Sequence, residues 1–120
     1  MATHGSKYCY PAEKLAAARR ALMSPHPAGE ARSYASAFHE CMLGLKEVSS
    51  EDLDDNARRW RGTIDSCMND EGIEDPQGRG TWEIKAERLT ESQRFAFSGA
   101  VDELAHWLED KCSDWLSTKP

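Results

Sequence analysis

The 120-residue sequence contains no long hydrophobic run and no closely spaced pair of cysteines. No apolar stretch approaches the roughly 18 residues that cross a bilayer, which argues against a membrane protein. The first ten residues lack the apolar centre of a signal peptide, so we expect a cytoplasmic protein in a reducing compartment. The four cysteines are scattered without a C-x-x-C pair, which agrees with that compartment and argues against a zinc site.

Motifs for catalysis and for ligand binding are also missing. The sequence has no G-x-S-x-G or H-E-x-x-H pattern. The acidic stretch at 69–75 fails as a calcium loop, because Cys67 and Gly78 stand where oxygen ligands are required. The segment 78–80 is too short for a phosphate-binding loop. We therefore predict no metal ion and no cofactor, and the sequence gives no support for an enzyme.

The second half of the chain lacks enough basic residues to balance its acidic ones, with seven against thirteen. Residues 1–60 carry eight acidic and eight basic side chains, so residues 61–120 account for the entire net charge of −6. An acidic half argues against direct nucleic-acid binding, because affinity for phosphates comes from many Lys and Arg contacts. It suits a protein partner with a basic surface, although charge kept for solubility is the simpler explanation.

The clearest pattern in the sequence is a long amphipathic helix over residues 90–116. Thr90 and Gln93 have the spacing of a capping box, in which each side chain bonds to the other residue's backbone amide. The apolar residues after it recur at helical spacing and form one stripe. The members of this stripe are Phe97, Val101, Leu104, Leu108 and Trp115, with Ala100, Ala105 and Cys112 beside it.

Three further helices are predicted. The first follows Pro11 and ends at Met23, and the second extends from about Pro27 to Glu47. The third has Ser49 as its cap, with Val48 and Leu53 placed to form a hydrophobic staple, and ends at about residues 69–72. Residues 70–89 form an irregular crossover, of which 81–89 fits either a short extended segment or a helical turn.

These elements predict an all-α, four-helix bundle-like single domain over residues 11–120, after a mobile N-terminal segment at 1–10. The bundle allows Cys41, Cys67 and Cys112 to meet, as core residues or as a metal or redox site. His39 and Cys41 project in different directions from one helix, so they cannot share a site.

The segment Arg58-Arg59-Trp60-Arg61 resembles a basic, aromatic nucleic-acid patch. Acidic residues four positions away favour a structural role instead, through salt bridges on the helix surface. The expected pairs are Asp54 with Arg58, Asp55 with Arg59, and Arg61 with Asp65.

The candidate binding surface is the acidic side of the last helix. Trp82 and Phe95 either pack on each other or form an apolar patch with Trp107 beside the acidic side chains, and tryptophan is enriched at binding hot spots. His106 lies among the acidic residues, as a member of a solvated face, of a pH-sensitive contact or of a weak metal site. The predicted partner-binding residues are Asp102, Glu103, His106, Trp107, Glu109, Asp110, Asp114 and Trp82.

The sequence thus predicts a small acidic protein–protein interaction module. Such a module suits an inhibitor or immunity-type partner of a basic, nucleic-acid-handling protein, because its carboxylates can occupy a surface meant for phosphates. One alternative is a homodimer whose helices complete each other's core, since Leu43 and Trp107 lie off the seams. The other is a helical enzyme or metal protein that uses the buried cysteines and His39.

Overall fold

The computed structural model describes residues 7–24 and 26–118, without the side chain of Thr118. This part of the chain contains five α-helices, one short 3-10 helix and no strand, which confirms the predicted all-α, bundle-like fold. None of these helices is both long and apolar enough to cross a bilayer. The α-helices are α1 (Cys9–Met23), α2 (Glu30–Leu45), α3 (Asp55–Met68), α4 (Thr81–Arg88) and α5 (Glu91–Thr118), and the 3-10 helix is Ser50–Asp52.

Helix α1 packs against both α2 and α5. It is antiparallel to α5, because Cys9 at its start is bonded to Cys112 while Arg19 near its end pairs with Asp102. Helix α3 covers α5 from another side, and the short α4 packs mainly on α2. This arrangement leaves one long side of α5 exposed, and the acidic residues lie there.

Gly44 sets the separation of α1 and α2. A Cβ atom at this position would lie 2.8 Å from Cβ of Lys14 and 3.1 Å from Cδ2 of Leu15. Real Cβ atoms do not approach other carbons this closely, so a side chain here would push the two helices apart. Glycine is therefore required by packing, even though it lowers the intrinsic stability of a helix.

The core is built on the predicted stripe of α5. Phe97, Val101, Leu104 and Leu108 are completely buried, and Ala100 and Ala105 beside them are buried as well. The ring of Phe97 meets that of Phe38 edge to face, with centroids 5.0 Å apart. The predicted apolar stripe is buried only as far as Leu108, because no later side chain that the structure describes is buried.

The two predicted caps have different outcomes. Thr90 and Gln93 form the capping box of α5, with N–H···O distances of 2.8 and 3.1 Å. Ser49 also forms a capping box, but with the 3-10 helix, and α3 begins only at Asp55. The predicted start of the third helix was wrong because Asp54 supplies a second cap, accepting a 2.8 Å bond from the Ala57 amide. Val48 and Leu53, the two residues predicted to form the hydrophobic staple, are both buried.

Of the predicted crossover 70–89, the part before residue 81 is irregular, and the part left open between an extended segment and a helical turn is the helix α4. The Asp75 carboxylate organises the end of the irregular part by accepting bonds from the backbone amides of Arg79 and Gly80, both at 2.8 Å. Gly80 precedes α4 with φ = 101°, a conformation that favours glycine. The Thr81 hydroxyl donates to Asp70 at the other side of the loop.

Helices α1 and α2 differ from their predicted limits by a few residues. Helix α2 begins later than predicted, at Glu30, because Gly29 with φ = 106° turns the chain before it. Helix α1 begins earlier, at Cys9. The predicted mobile segment therefore divides into residues 7–10, whose contacts are given below, and residues 1–6, which lie outside the described residues.

Candidate functional site

We define the acidic face as the exposed side of α5 that is opposite its buried stripe. At a rise of 1.5 Å per residue it extends over about 18 Å of helix. The face consists of Asp102, Glu103, His106, Glu109, Asp110 and Asp114.

One end of the acidic face is paired within the protein. The Arg19 Nε atom lies 2.8 Å from Oδ1 of Asp102. His106 Nδ1 lies 3.0 Å from the backbone oxygen of Asp102 and 3.8 Å from its carboxylate. These contacts fix the orientation of both side chains, and the charge of Asp102 is partly neutralised by Arg19.

The remaining four carboxylates of the face have no such partners. Within the described part of the chain, none of them forms a salt bridge or a side-chain hydrogen bond, and all four are exposed. Like charges on one helix side repel each other, so this arrangement costs stability that a bound cation or basic partner would recover. The four residues are Glu103, Glu109, Asp110 and Asp114.

Trp107 connects α5 to the start of α3. Its indole N–H donates a 3.0 Å bond to Oδ2 of Asp54, and Lys111 lies 5.2 Å from its ring centre. Bonds from the Ala57 amide and the Trp107 indole, with nearby Lys111, hold the pKa of Asp54 below its ordinary value. Trp107 is half-buried, and its contacts with Tyr8, Asp54 and Lys111 lie within the fold.

Residues 7–9 fasten the start of α1 onto this region, and we call the resulting set of contacts the N-terminal clasp. The Tyr8 ring meets Trp107 edge to face at 5.7 Å, and its hydroxyl donates to the Asp52 backbone oxygen at 3.0 Å. Lys7 Nζ lies 2.7 Å from the Asp52 carboxylate. This bond, with the Ser49 amide, lowers the pKa of Asp52.

A disulfide between Cys9 and Cys112 completes the clasp, with the two Cα atoms 4.8 Å apart. The sequence leaves open whether Cys112 meets Cys41 and Cys67, and the bond of Cys112 to Cys9 excludes it from a metal or redox site with those two thiols. The reason lies in the antiparallel register of α1 and α5, which places Cys9 beside Cys112. Cys9 lies in the segment that the sequence predicts to be mobile, and the even number of cysteines is the one feature of the sequence that indicates a disulfide.

Cys41 and Cys67 are buried free thiols. Burial raises the pKa of the Cys41 thiol to about 12 and also raises the pKa of Cys67, so both remain protonated and unreactive at neutral pH. His39 is exposed whereas Cys41 is completely buried, so the two do not share a site. Among the described residues, no three or more His, Cys, Asp or Glu side chains are grouped so that they could hold a metal ion.

Trp82 and Phe95 do not pack on each other. The Trp82 indole donates to the Met68 backbone oxygen at 3.1 Å, and its ring contacts Phe38 and His39. Trp82 is therefore held by α2 and α3 and does not lie beside the acidic face. Phe95 is 82% exposed on α5. At 100° per residue it projects within about 20° of Asp102, so it belongs to the same side of the helix as the acidic residues.

The arginines of α3 have structural roles, but two of the three predicted ion pairs were wrong. Asp54 and Asp55 are diverted to other partners: Asp54 caps α3, and Asp55 pairs with Arg58 at 3.0 Å. Arg59 donates instead to Asn56. Arg61 forms its predicted ion pair, with Nε 3.7 Å from Oδ2 of Asp65. It also donates to the backbone oxygens of Leu45 and Val48, at the end of α2 and just after it.

Comparison with protein-family models, with curated proteins and with solved structures finds no match for this chain.

Proposed function

We propose that this protein is a protein–protein interaction module that binds a partner with a basic surface through the acidic face of α5. The observation that carries the proposal is the set of four exposed, unpaired carboxylates along one helix side. Such a surface attracts a basic partner over several ångströms and orients it during association.

Phe95 is the aromatic anchor of this surface. It lies seven residues before Asp102 on the same side of α5, about 10 Å along the axis, and 82% of it is exposed. Burial of such a ring supplies affinity that surface charges alone do not. Trp82 and Trp107, the aromatic residues favoured by the sequence, are engaged in contacts within the fold.

The partner class that fits this surface is a nucleic-acid-handling protein, which this module would inhibit in the manner of an immunity protein. A row of carboxylates about 18 Å long resembles a short run of phosphates in charge and extent. The module would then compete with nucleic acid for the partner's basic surface, without binding nucleic acid itself.

The test is affinity capture from the native host with matched baits, followed by titration of each captured protein at rising salt. One bait neutralises the four unpaired carboxylates (E103Q/E109Q/D110N/D114N). The control bait makes the same charge change at four exposed glutamates elsewhere (E13Q/E47Q/E71Q/E74Q). We expect the first bait alone to lose the partner, and duplex DNA to compete with the wild-type chain. Equal retention by both baits would overturn the proposal.

A homodimer is the alternative function, and the exposed apolar residues favour it. Tyr10 and Leu116 are each more than half exposed. Leu43 and Trp107, the residues for which the sequence predicts a role in a dimer interface, are half-buried within one chain. Light scattering on the wild-type chain and on L116S decides between the two: a dimer that L116S dissociates supports this alternative, and a monomer at high concentration removes it.

The cytoplasmic location is part of the same proposal. Disulfides are rare in the cytosol, and those that do occur there are mostly transient or redox-sensing. A cytosolic location therefore implies that Cys9 and Cys112 change their oxidation state in use. Thiol alkylation in intact host cells, followed by mass spectrometry of the Cys9 and Cys112 peptides, measures this directly.

A further inference from the structure

The last ten residues of α5 are attached to the protein differently from the rest of that helix. Up to Leu108 the helix is held by completely buried side chains, whereas no described side chain after Leu108 is buried. Cys112 lies in the middle of this terminal part and is bonded to Cys9 of α1. The disulfide therefore attaches the end of α5 covalently to the start of α1.

The same bond also supports the contacts at the start of α1. Cys9 directly follows Tyr8, whose ring packs on Trp107 and whose hydroxyl bonds to the Asp52 backbone. Holding Cys9 against α5 keeps the Tyr8 ring in position. One bond thus fixes two segments, the end of α5 and the start of α1.

Three of the four unpaired carboxylates lie in the segment that the disulfide holds: Glu109, Asp110 and Asp114. Cys9 and Cys112 are both partly exposed residues, in contrast to the buried Cys41 and Cys67. A solvent-accessible disulfide is more easily reduced than one enclosed in a core.

We propose that the Cys9–Cys112 disulfide is a redox latch, which presents the terminal half of the acidic face when oxidised and releases it when reduced. The link to partner binding rests on the function proposed above. The release itself does not, because it concerns only how the end of α5 and the N-terminal clasp are held.

The reaction is thiol–disulfide exchange with a dithiol reductant of the thioredoxin class. One thiolate of the reductant attacks Sγ of Cys9 or Cys112, which forms a mixed disulfide and releases the other cysteine as a thiolate. The second thiolate of the reductant then attacks the reductant's first sulfur, which is bonded to the protein in the mixed disulfide. This step releases the second cysteine as a thiolate. Two electrons reach the protein, two protons from the reductant end on the cysteines, and the reductant becomes a disulfide.

The first experiment measures backbone hydrogen exchange by mass spectrometry on the full chain, oxidised and after reduction with dithiothreitol. We expect exchange of residues 109–118 to rise by about ten-fold or more on reduction, because no described side chain in this segment is fully buried in the core. Exchange in α2 should rise only as far as the loss of global stability dictates, and it should stay slower than exchange of residues 109–118 in both states. Equal exchange of residues 109–118 in the two states would overturn the latch.

The variant C9A/C112A guards against effects of the reductant itself. We expect it to exchange like the reduced wild-type chain and to show no change when dithiothreitol is added. Its helical content, measured by circular dichroism, verifies that it folds. Fast exchange in the reduced wild type with slow exchange in this variant would overturn the assignment to these two cysteines.

The second experiment uses a deca-arginine peptide as a basic probe, titrated at low salt. We expect its affinity to fall several-fold on reduction, because three carboxylates lose their common geometry. If exchange rises on reduction but affinity does not change, the latch has no control over binding and the regulatory part is wrong. If E103Q/E109Q/D110N/D114N binds the peptide as well as its control variant, the proposed function fails while hydrogen exchange still decides the latch.

Discussion

The two halves of α5 are held by different forces. From Phe97 to Leu108 the helix is stabilised by burial of apolar side chains, and this half belongs to the core. From Glu109 onward it depends on a disulfide and on surface contacts such as that of Lys111 with Trp107. A single helix can therefore combine a part that is packed in the core with a part whose order depends on a covalent bond, and the boundary between them lies where burial ends.

Two phenylalanines of the core-packed half provide the largest expected effect. Phe97→Ala should lower the free energy of unfolding by about 3–5 kcal/mol, because it removes a completely buried ring that packs on Phe38 and Tyr34. Phe95→Ala, two residues earlier and 82% exposed, should change it by less than about 0.5 kcal/mol. Urea unfolding followed by circular dichroism measures both. Equal effects would contradict the boundary between core and surface along this helix.

Loss of the disulfide is the next largest change. It joins residues 103 positions apart, and breaking it should cost about 2–5 kcal/mol, largely because the unfolded chain gains freedom. The measurement compares urea unfolding of the oxidised chain, the reduced chain and C9A/C112A. The last two should agree within about 1 kcal/mol of each other. No difference between oxidised and reduced protein would mean that the terminal half needs no covalent attachment.

The capping box at the start of α5 should have a smaller effect. Thr90→Ala removes the hydroxyl that accepts the Gln93 amide and should cost about 1 kcal/mol. Ser92→Ala is the matched control, because Ser92 is exposed and takes no part in the box. Thermal unfolding of both variants tests the prediction, and an equally stable Thr90→Ala would show that packing alone sets the start of α5.

Acid should weaken the N-terminal clasp at Asp52 and the cap of α3 at Asp54. Asp52 and Asp54 have pKa values lowered in the folded protein, by Lys7 and by the Ala57 amide respectively. Their contribution to stability is complete above the unfolded-state pKa of about 3.9 and is lost as the pH falls through the lower folded-state values. Asp54→Asn should therefore flatten the loss of stability below about pH 4, as measured by urea unfolding at a series of pH values. Asp110→Asn serves as the control, and an equal slope in both variants would contradict the assignment.

The parts of this fold that the sequence reveals are those encoded by neighbouring residues. The buried stripe of α5 follows from apolar spacing, and its capping box follows from Thr90 and Gln93 three residues apart. The start of α3 is a place where neighbouring residues do not determine the structure. Ser49 and Asp54 are both good caps, and local rules do not tell which one begins the α-helix.

The contacts that depend on the register between helices were not predictable. Cys9 meets Cys112, and Trp107 meets Asp54, because α1, α3 and α5 pack with particular offsets along their axes. Those offsets arise from the fit of many side chains, among them the close approach at Gly44. The acidic residues themselves were readable from the sequence, whereas the unpaired state of four of them required the positions of Arg19 and the other cations.

The disulfide also has a mechanical meaning. Because it links residues 103 positions apart, nearly the whole bundle lies inside one covalent loop. A force applied at Lys7 and Thr118 would be carried through the sulfur–sulfur bond and would bypass the helix contacts between them. The oxidised chain should therefore extend by only a few residues' length before a covalent bond bears the load, while the reduced chain should unfold along its full contour.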